Sequence, residues 1–125
     1  MRELQLKHII PYADEGLYGL FGGKKDILSG IDSKNKIVSS LNYGNYYLYD
    51  FKPILIPLSY LTKEVIDSFN LDISAQILLN DIRIRFILPE DLPYKYFKIL
   101  IENHFDVFGL IEEGLAIDIN TLNIK

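Results

Sequence analysis

Residues 92–120 read LPYKYFKILIENHFDVFGLIEEGLAIDIN, and their spacing decides the fold. Tyr94, Phe97, Leu100, Ile101, His104, Phe105 and Phe108 recur at steps of three and four, which is one face of an aromatic amphipathic helix. Asp91 and Pro93 stand where a helix begins, with acidic charge at its positive end and proline in its first turn. A glycine at position 109 weakens a helix by about 1 kcal/mol relative to alanine. The spacing therefore predicts a main helix to about His104 and a short one ending before Gly114. Beyond Gly114, Leu115, Ile117 and Ile119 alternate with polar partners, the period of a half-buried strand. Helix, turn and strand turn most of their apolar mass one way, and the core is expected to form on them.

Upstream, Ile82, Ile84, Phe86 and Leu88 alternate with Arg83 and Arg85, which predicts a strand ended by Pro89. Asp72 can cap a short helix through Ile73, Ile77 and Leu78. Leu58, Leu61, Val65, Ile66 and Phe69 keep helical spacing, with Ser59 or Thr62 as the cap and Asn70 as the stop. Before Pro57 the period is two. Strands are expected at Leu4–Ile10, Leu17–Phe21, Ile27–Ile31 with Gly30 as a candidate bulge, Ile37–Leu41 and Tyr46–Phe51. Pro53 and Pro57 bracket Ile54-Leu55-Ile56 as an edge strand or extended exit, since proline donates nothing to a ladder. Five or six short strands with frequent turn signals make a small antiparallel β-meander or partly closed barrel. The class is α+β: that β-rich half (1–57) is followed by an α/β half (58–125) of helices packed with one or two further strands. Neither half is long enough to bury much alone, so residues 1–125 are expected to form a single domain.

At 49% hydrophobic and 24% charged, the chain has the composition of a globular protein and not of a disordered one. No apolar run reaches about eighteen residues, so no transmembrane helix is expected, and no apolar h-region follows Met1-Arg2-Glu3. Cysteine is absent, which excludes disulfides, thiolate zinc sites and cysteine nucleophiles and fits the cytoplasm of a bacterial host. The charge is uneven. Residues 1–60 carry seven Lys/Arg against six Asp/Glu, a net +1, and residues 61–125 carry six against eleven, a net −5. Ordinary solvated surface explains this, and so does an acidic face that meets a basic partner.

Three segments carry a resemblance: LKHIIPY at 6–12, KPILIPLSYLTKE at 52–64, and HFDVFGLI at 104–111 with GLAIDIN at 114–120. They resemble a family of small uncharacterised proteins common in phages and prophages of Bacteroidota. The last block is the most specific, being a continuous string, and residues 65–93 depart most. The resemblance implies a phage or prophage origin and the tasks of small phage proteins: structure, regulation, or interference with host defence. It implies no activity and gives no residue a role.

No catalytic constellation stands out. His104, Glu102, Asp106, Glu112 and Glu113 form the densest His/carboxylate cluster, yet one histidine with scattered acids is a poor metal site, and a core histidine explains it better. Asp118 reads as a residue that ties down a turn. Ser39, Ser40 and Ser59 lack a nucleophile-elbow context. Gly22-Gly23-Lys24-Lys25 lacks the spacing of a phosphate loop and reads as a β-turn. No enzyme activity, cofactor or metal is expected. The leading expectation is a non-enzymatic interaction protein that inhibits a host defence complex, such as a CRISPR nuclease, by placing acidic residues (Glu90, Asp91, Glu112, Glu113) in a basic channel. The alternative is a module that binds single-stranded RNA or DNA through its tyrosine-rich half, with Tyr46, Tyr47, Lys24 and Lys25 as contacts. A minor virion or assembly protein is a further alternative. The expected partner is a host protein or protein–RNA complex and not a membrane.

Overall fold

Tight turns, closely spaced along the N-terminal half, fold the chain back on itself as a meander, and a sixth strand joins from the far end of the sequence. The computed structural model describes residues 3–69 and 94–122. The expected helix at 72–78 and strand at 82–88 lie outside the described residues, as do Glu90 and Asp91. Strands β1 (Tyr18–Phe21), β2 (Lys24–Asp32), β3 (Ile37–Ser40), β4 (Gly44–Tyr47) and β5 (Phe51–Leu55) pair antiparallel, and β6 (Ile117–Asp118) pairs parallel with β5, in the order β4-β3-β2-β1-β5-β6. Gly22 and Gly23, at φ 57° and 89°, form the two-residue β1–β2 hairpin turn, where both central residues need positive φ. The ladder of β2 with β3 shifts register between Leu28 and Gly30, the bulge expected at Gly30.

The α+β class and the meander agree with the spacing. The sheet is open, which corrects the expected partial closure into a barrel: β4 and β5 do not pair. It is nonetheless strongly coiled. β4 and β5 lie four ladder steps apart, about 19 Å in a flat sheet. The chain from Tyr47 to Phe51 reaches at most about 14 Å, and Leu48–Asp50 is a 3-10 turn that shortens it further. Coiling brings the Tyr46 ring of β4 to 5.7 Å from the Phe21 ring of β1. The concave side so formed holds Leu17, Phe21, Leu28, Val38, Phe51 and Leu55, all buried. Gly19 admits the Phe51 ring there, since a Cβ at this position would lie 2.2 Å from Cε1 of Phe51.

Three expected segments are corrected. Leu4–Ile10 is not a strand: α1 spans Leu6–Ile9 and a 3-10 turn follows at Ile10–Tyr12. The His8 side chain reaches back so that Nδ1 accepts from the Gln5 backbone N–H at 3.1 Å, which satisfies one open donor at the helix start. Ile9 and Tyr12, three residues apart, face the core, while Ile10 is half exposed. Tyr46–Phe51 is not one strand either, because the 3-10 turn separates β4 from β5. Pro53 sits inside β5, opposite Gly19 of β1, so this segment is neither an edge nor an exit.

Thr62 caps α2 (Lys63–Ser68), its Oγ1 accepting from Val65 N–H at 3.3 Å. Helix α3 (Tyr94–Glu102) buries Tyr96, Leu100 and Ile101 and half-buries Phe97. Tyr94 is 74% exposed and so lies off the face assigned to it. The helix ends in a Schellman motif: Phe105 N–H donates to Leu100 C=O and His104 N–H to Ile101 C=O, both at 3.0 Å, with His104 left-handed at φ 64°. No second helix follows, which corrects the expected one before Gly114. Asp106 instead accepts from the backbone N–H groups of Leu110 and Ile111, both at 2.9 Å. Leu115 N–H donates to Leu110 C=O and Gly114 N–H to Ile111 C=O, with Gly114 at φ 74°. Cap and stop signals are both satisfied with no helix body between them.

This C-terminal segment is tied to the rest at several points. The Tyr12 hydroxyl donates to Phe105 C=O and accepts from Val107 N–H at 3.4 Å. His104 Nε2 lies 2.6 Å from Glu15 C=O, so that nitrogen carries the proton. Ile56 N–H donates to His104 C=O and Asp106 N–H to Ile56 C=O, both at 2.8 Å. Asp118, at the end of β6, accepts from the Asn120 N–H and amide, the turn expected of it, and the chain passes into α4 (Ile119–Leu122) where a strand through Ile119 had been expected.

Candidate functional site

The side chains with catalytic potential are engaged in holding backbone. His8 caps α1, His104 binds the Glu15 carbonyl, and Asp106 holds the Leu110–Ile111 turn. Among the described residues no group of three or more His, Asp or Glu is placed to hold a metal ion, and no helix is long and apolar enough to cross a membrane.

The outward side of the sheet is different in character. Antiparallel pairing sets Leu20 opposite both Lys25 and Lys52, Tyr18 opposite Ile27, and Ile37 opposite Tyr47. Directly opposed residues share a face, and this face is turned away from the concave core. Tyr18 and Tyr47 are 43% and 55% exposed. The Lys25 ammonium stands 5.1 Å from the Tyr18 ring centroid. At the nearby β3–β4 turn, the Lys24 ammonium stands 5.0 Å from the exposed Tyr43 ring. Each lysine thus holds its charge against an aromatic face.

Asp26 fixes the turn that carries Tyr43. Its carboxylate accepts from Asn42 N–H at 2.6 Å, Asn42 Nδ2 at 3.0 Å and Ile27 N–H at 2.8 Å. Ser40 Oγ accepts from Tyr43 N–H and donates to Gly44 C=O. Burial opposes ionisation of Asp26, but these hydrogen bonds outweigh it and hold the carboxyl below the usual carboxylate range. Asp32 orders the β2–β3 turn similarly, through Asn35 Nδ2 and the N–H groups of Asn35 and Lys34, and its carboxyl is likewise lowered, chiefly by the Asn35 side chain.

Past β4 the Tyr47 and Tyr49 rings stack, 5.4 Å apart and within 6° of parallel. Tyr49 is 79% exposed. Beside the pair lies a groove of about 590 Å³ between the N-terminal segment and the β2–β3 turn, with Lys7 and Lys36 on its sides. A second hollow, of about 480 Å³, shares Leu4, Leu48 and Tyr49 with it and extends to Lys52 and Leu115.

Of the candidate contacts, Lys25 and Tyr47 lie exposed on the outward face, and Lys24 is exposed at the β1–β2 turn, opposite Phe21. Tyr46 points to the concave side and is half-buried against Phe21. Glu112 and Glu113 are exposed in the turn before Gly114. Tyr49, which stacks on Tyr47, is not among the candidate contacts named from the sequence. The i, i+2 spacing of Tyr47 and Tyr49 signals one side of an extended segment, but reading Tyr46–Phe51 as a single strand hid the turn that stacks the two rings.

Comparison with family models, with curated proteins and with solved structures found no match to this chain.

Proposed function

We propose that the protein is a non-enzymatic binding protein and that single-stranded nucleic acid, free or carried in a host ribonucleoprotein, is its partner. The observation that supports this reading is the pair of exposed tyrosines that each hold a lysine ammonium over the ring, Tyr18 with Lys25 on the outward face and Tyr43 with Lys24 at the β3–β4 turn. Tyrosine faces stack on any base, and lysines neutralise the backbone. The chain as a whole carries −4, so binding would draw on local charge and not on the net field. In a phage or prophage setting, a defence complex that exposes its guide or target strand would present such a partner. The alternative, acidic docking into a basic channel, would draw on Glu112 and Glu113, which are exposed in the turn before Gly114.

Fluorescence anisotropy with a labelled uridine dodecamer tests the proposal. Binding should weaken about 20-fold between about 50 and 200 mM salt if about three phosphates are engaged. Tyr18→Ala with Lys25→Ala should weaken it further, and reversing Glu112 and Glu113 to Lys should leave it unchanged or tighten it. No binding by the wild type at low salt would reject the reading. Capture of a host protein that the Glu112/Glu113 reversal abolishes would restore the acidic-face reading.

A further inference from the structure

We propose that the groove beside the stacked tyrosines is a nucleotide subsite, in which one base stacks on the free face of Tyr49 and the adjoining phosphates lie against Lys7 and Lys36. This rests on the nucleic-acid reading and adds the place and the residues. Leu4 and Leu48 give the groove an apolar floor, and Tyr47 and Tyr49 give it an aromatic wall. Its volume of about 590 Å³ falls within the range of small-ligand sites. Tyr47 and Tyr49 turn one face to each other, and Tyr49 leaves its other face to solvent. A base placed there adds one layer to an existing stack, at no cost in rearranging the wall. The charge of the rim chooses the occupant. Lys7 and Lys36 are both exposed; Glu3 also lines the groove, and Asp32 lies in the same turn as Lys36 with its carboxylate held by Asn35. A proline-rich peptide would also lie on tyrosines but brings no anion to two lysines, whereas a nucleotide brings a flat face and a phosphate together. The second hollow shares Glu3, Leu4, Leu48 and Tyr49 and leads to Lys52, so a strand that leaves the groove on the side away from Glu3 meets a further cation.

Two variants test this without disturbing the core. Tyr49→Ala removes a largely exposed ring. Lys36→Asn removes a charge at φ 54°, a conformation that asparagine tolerates. With the uridine dodecamer, Tyr49→Ala should weaken binding by about 5- to 150-fold, the range for one stacked base. Lys36→Asn should reduce the slope of log affinity against log salt by about 0.7, one phosphate's worth. In amide NMR spectra of the full chain, adenosine monophosphate should shift Leu4, Lys36, Leu48 and Tyr49. If the wild type binds the dodecamer, Tyr49→Ala binds equally well and the Tyr18/Lys25 double variant does not, the groove is not the subsite although the nucleic-acid reading stands. If the wild type binds no oligonucleotide, both fall. A proline-rich peptide that shifts the same amides when the dodecamer does not would overturn the proposal in favour of a peptide groove.

Discussion

Replacing Tyr12 by phenylalanine removes one oxygen atom from the centre of the molecule and leaves the packing of the ring in place. Tyr12 is fully buried, and its hydroxyl joins the N-terminal 3-10 turn to the segment after α3 by donating to Phe105 C=O and accepting from Val107 N–H. The cost follows from what the loss leaves behind. Val107 N–H also donates to Phe105 C=O at 3.0 Å, so neither group is orphaned. The penalty is then that of one net hydrogen bond, about 1 kcal/mol, and not the larger cost of a buried unsatisfied group. With a urea slope of about 1–2 kcal/mol/M, the unfolding midpoint should fall by about 0.5–1 M. The chain has nine tyrosines and no tryptophan, so tyrosine fluorescence or circular dichroism can follow the transition. Burial, with the nearby Asp106 charge, holds the Tyr12 phenol well above its ordinary value, against the lowering effect of Val107 N–H. A raised folded value stabilises the fold fully below the unfolded pKa of about 10 and loses that stabilisation as pH rises beyond it. Wild type and Tyr12→Phe should therefore converge in stability above about pH 10. An unchanged midpoint at neutral pH would show that the hydroxyl bonds nothing, and a fall beyond about 2 M would show that the carbonyl has no second partner.

Phe105→Ala should destabilise the fold by about 3–5 kcal/mol, since a buried ring beside the Ile56 bridge leaves a cavity; denaturation within 1 kcal/mol of wild type would remove it from the core. Gly19→Ala should cost about 1–3 kcal/mol by overpacking against Phe51, and Phe51→Leu in the same chain should recover part of that loss. Asp26→Asn should lower the melting temperature at pH 7. The stabilisation from the lowered Asp26 value is present above an unfolded pKa of about 4 and is lost as pH falls through the lower folded value, so melts at pH 3 should narrow the gap between variant and wild type. A gap that is the same at both pH values would show that the carboxylate charge is not what holds the Asn42 turn.

The tyrosine–lysine surface was partly legible in the sequence. Lys24, Lys25 and Tyr47 follow from residue type, though alternation alone does not say which face each one takes. Tyr49 and the groove do not, because they depend on a three-residue turn whose place is set by coiling of the sheet. Tyr46 and Tyr47 look equivalent as neighbours in sequence, but strand pleating sends one to the core and the other to solvent.

Local chemistry determined much of the rest. Gly22-Gly23 with its two positive φ values, the bulge at Gly30, the Thr62 cap, the Asp118 turn and the α3 stretch each follow from a few adjacent residues, and each stands in the structure. Where short segments carry two readable periods, only tertiary contacts chose between them. Leu4–Ile10 alternates like a strand, yet Ile9 and Tyr12 gain burial as a helical turn, and Tyr12 reaches Phe105, ninety-three positions away, only from there. Gly114 signals a helix stop, but Ile56 bonds His104 and Asp106 across the chain, and the Asp106 carboxylate takes the Leu110 and Ile111 N–H groups, so the segment forms turns and not a helix. An isolated helix of that length is marginal in water, so a few long-range hydrogen bonds and buried rings are enough to decide its shape.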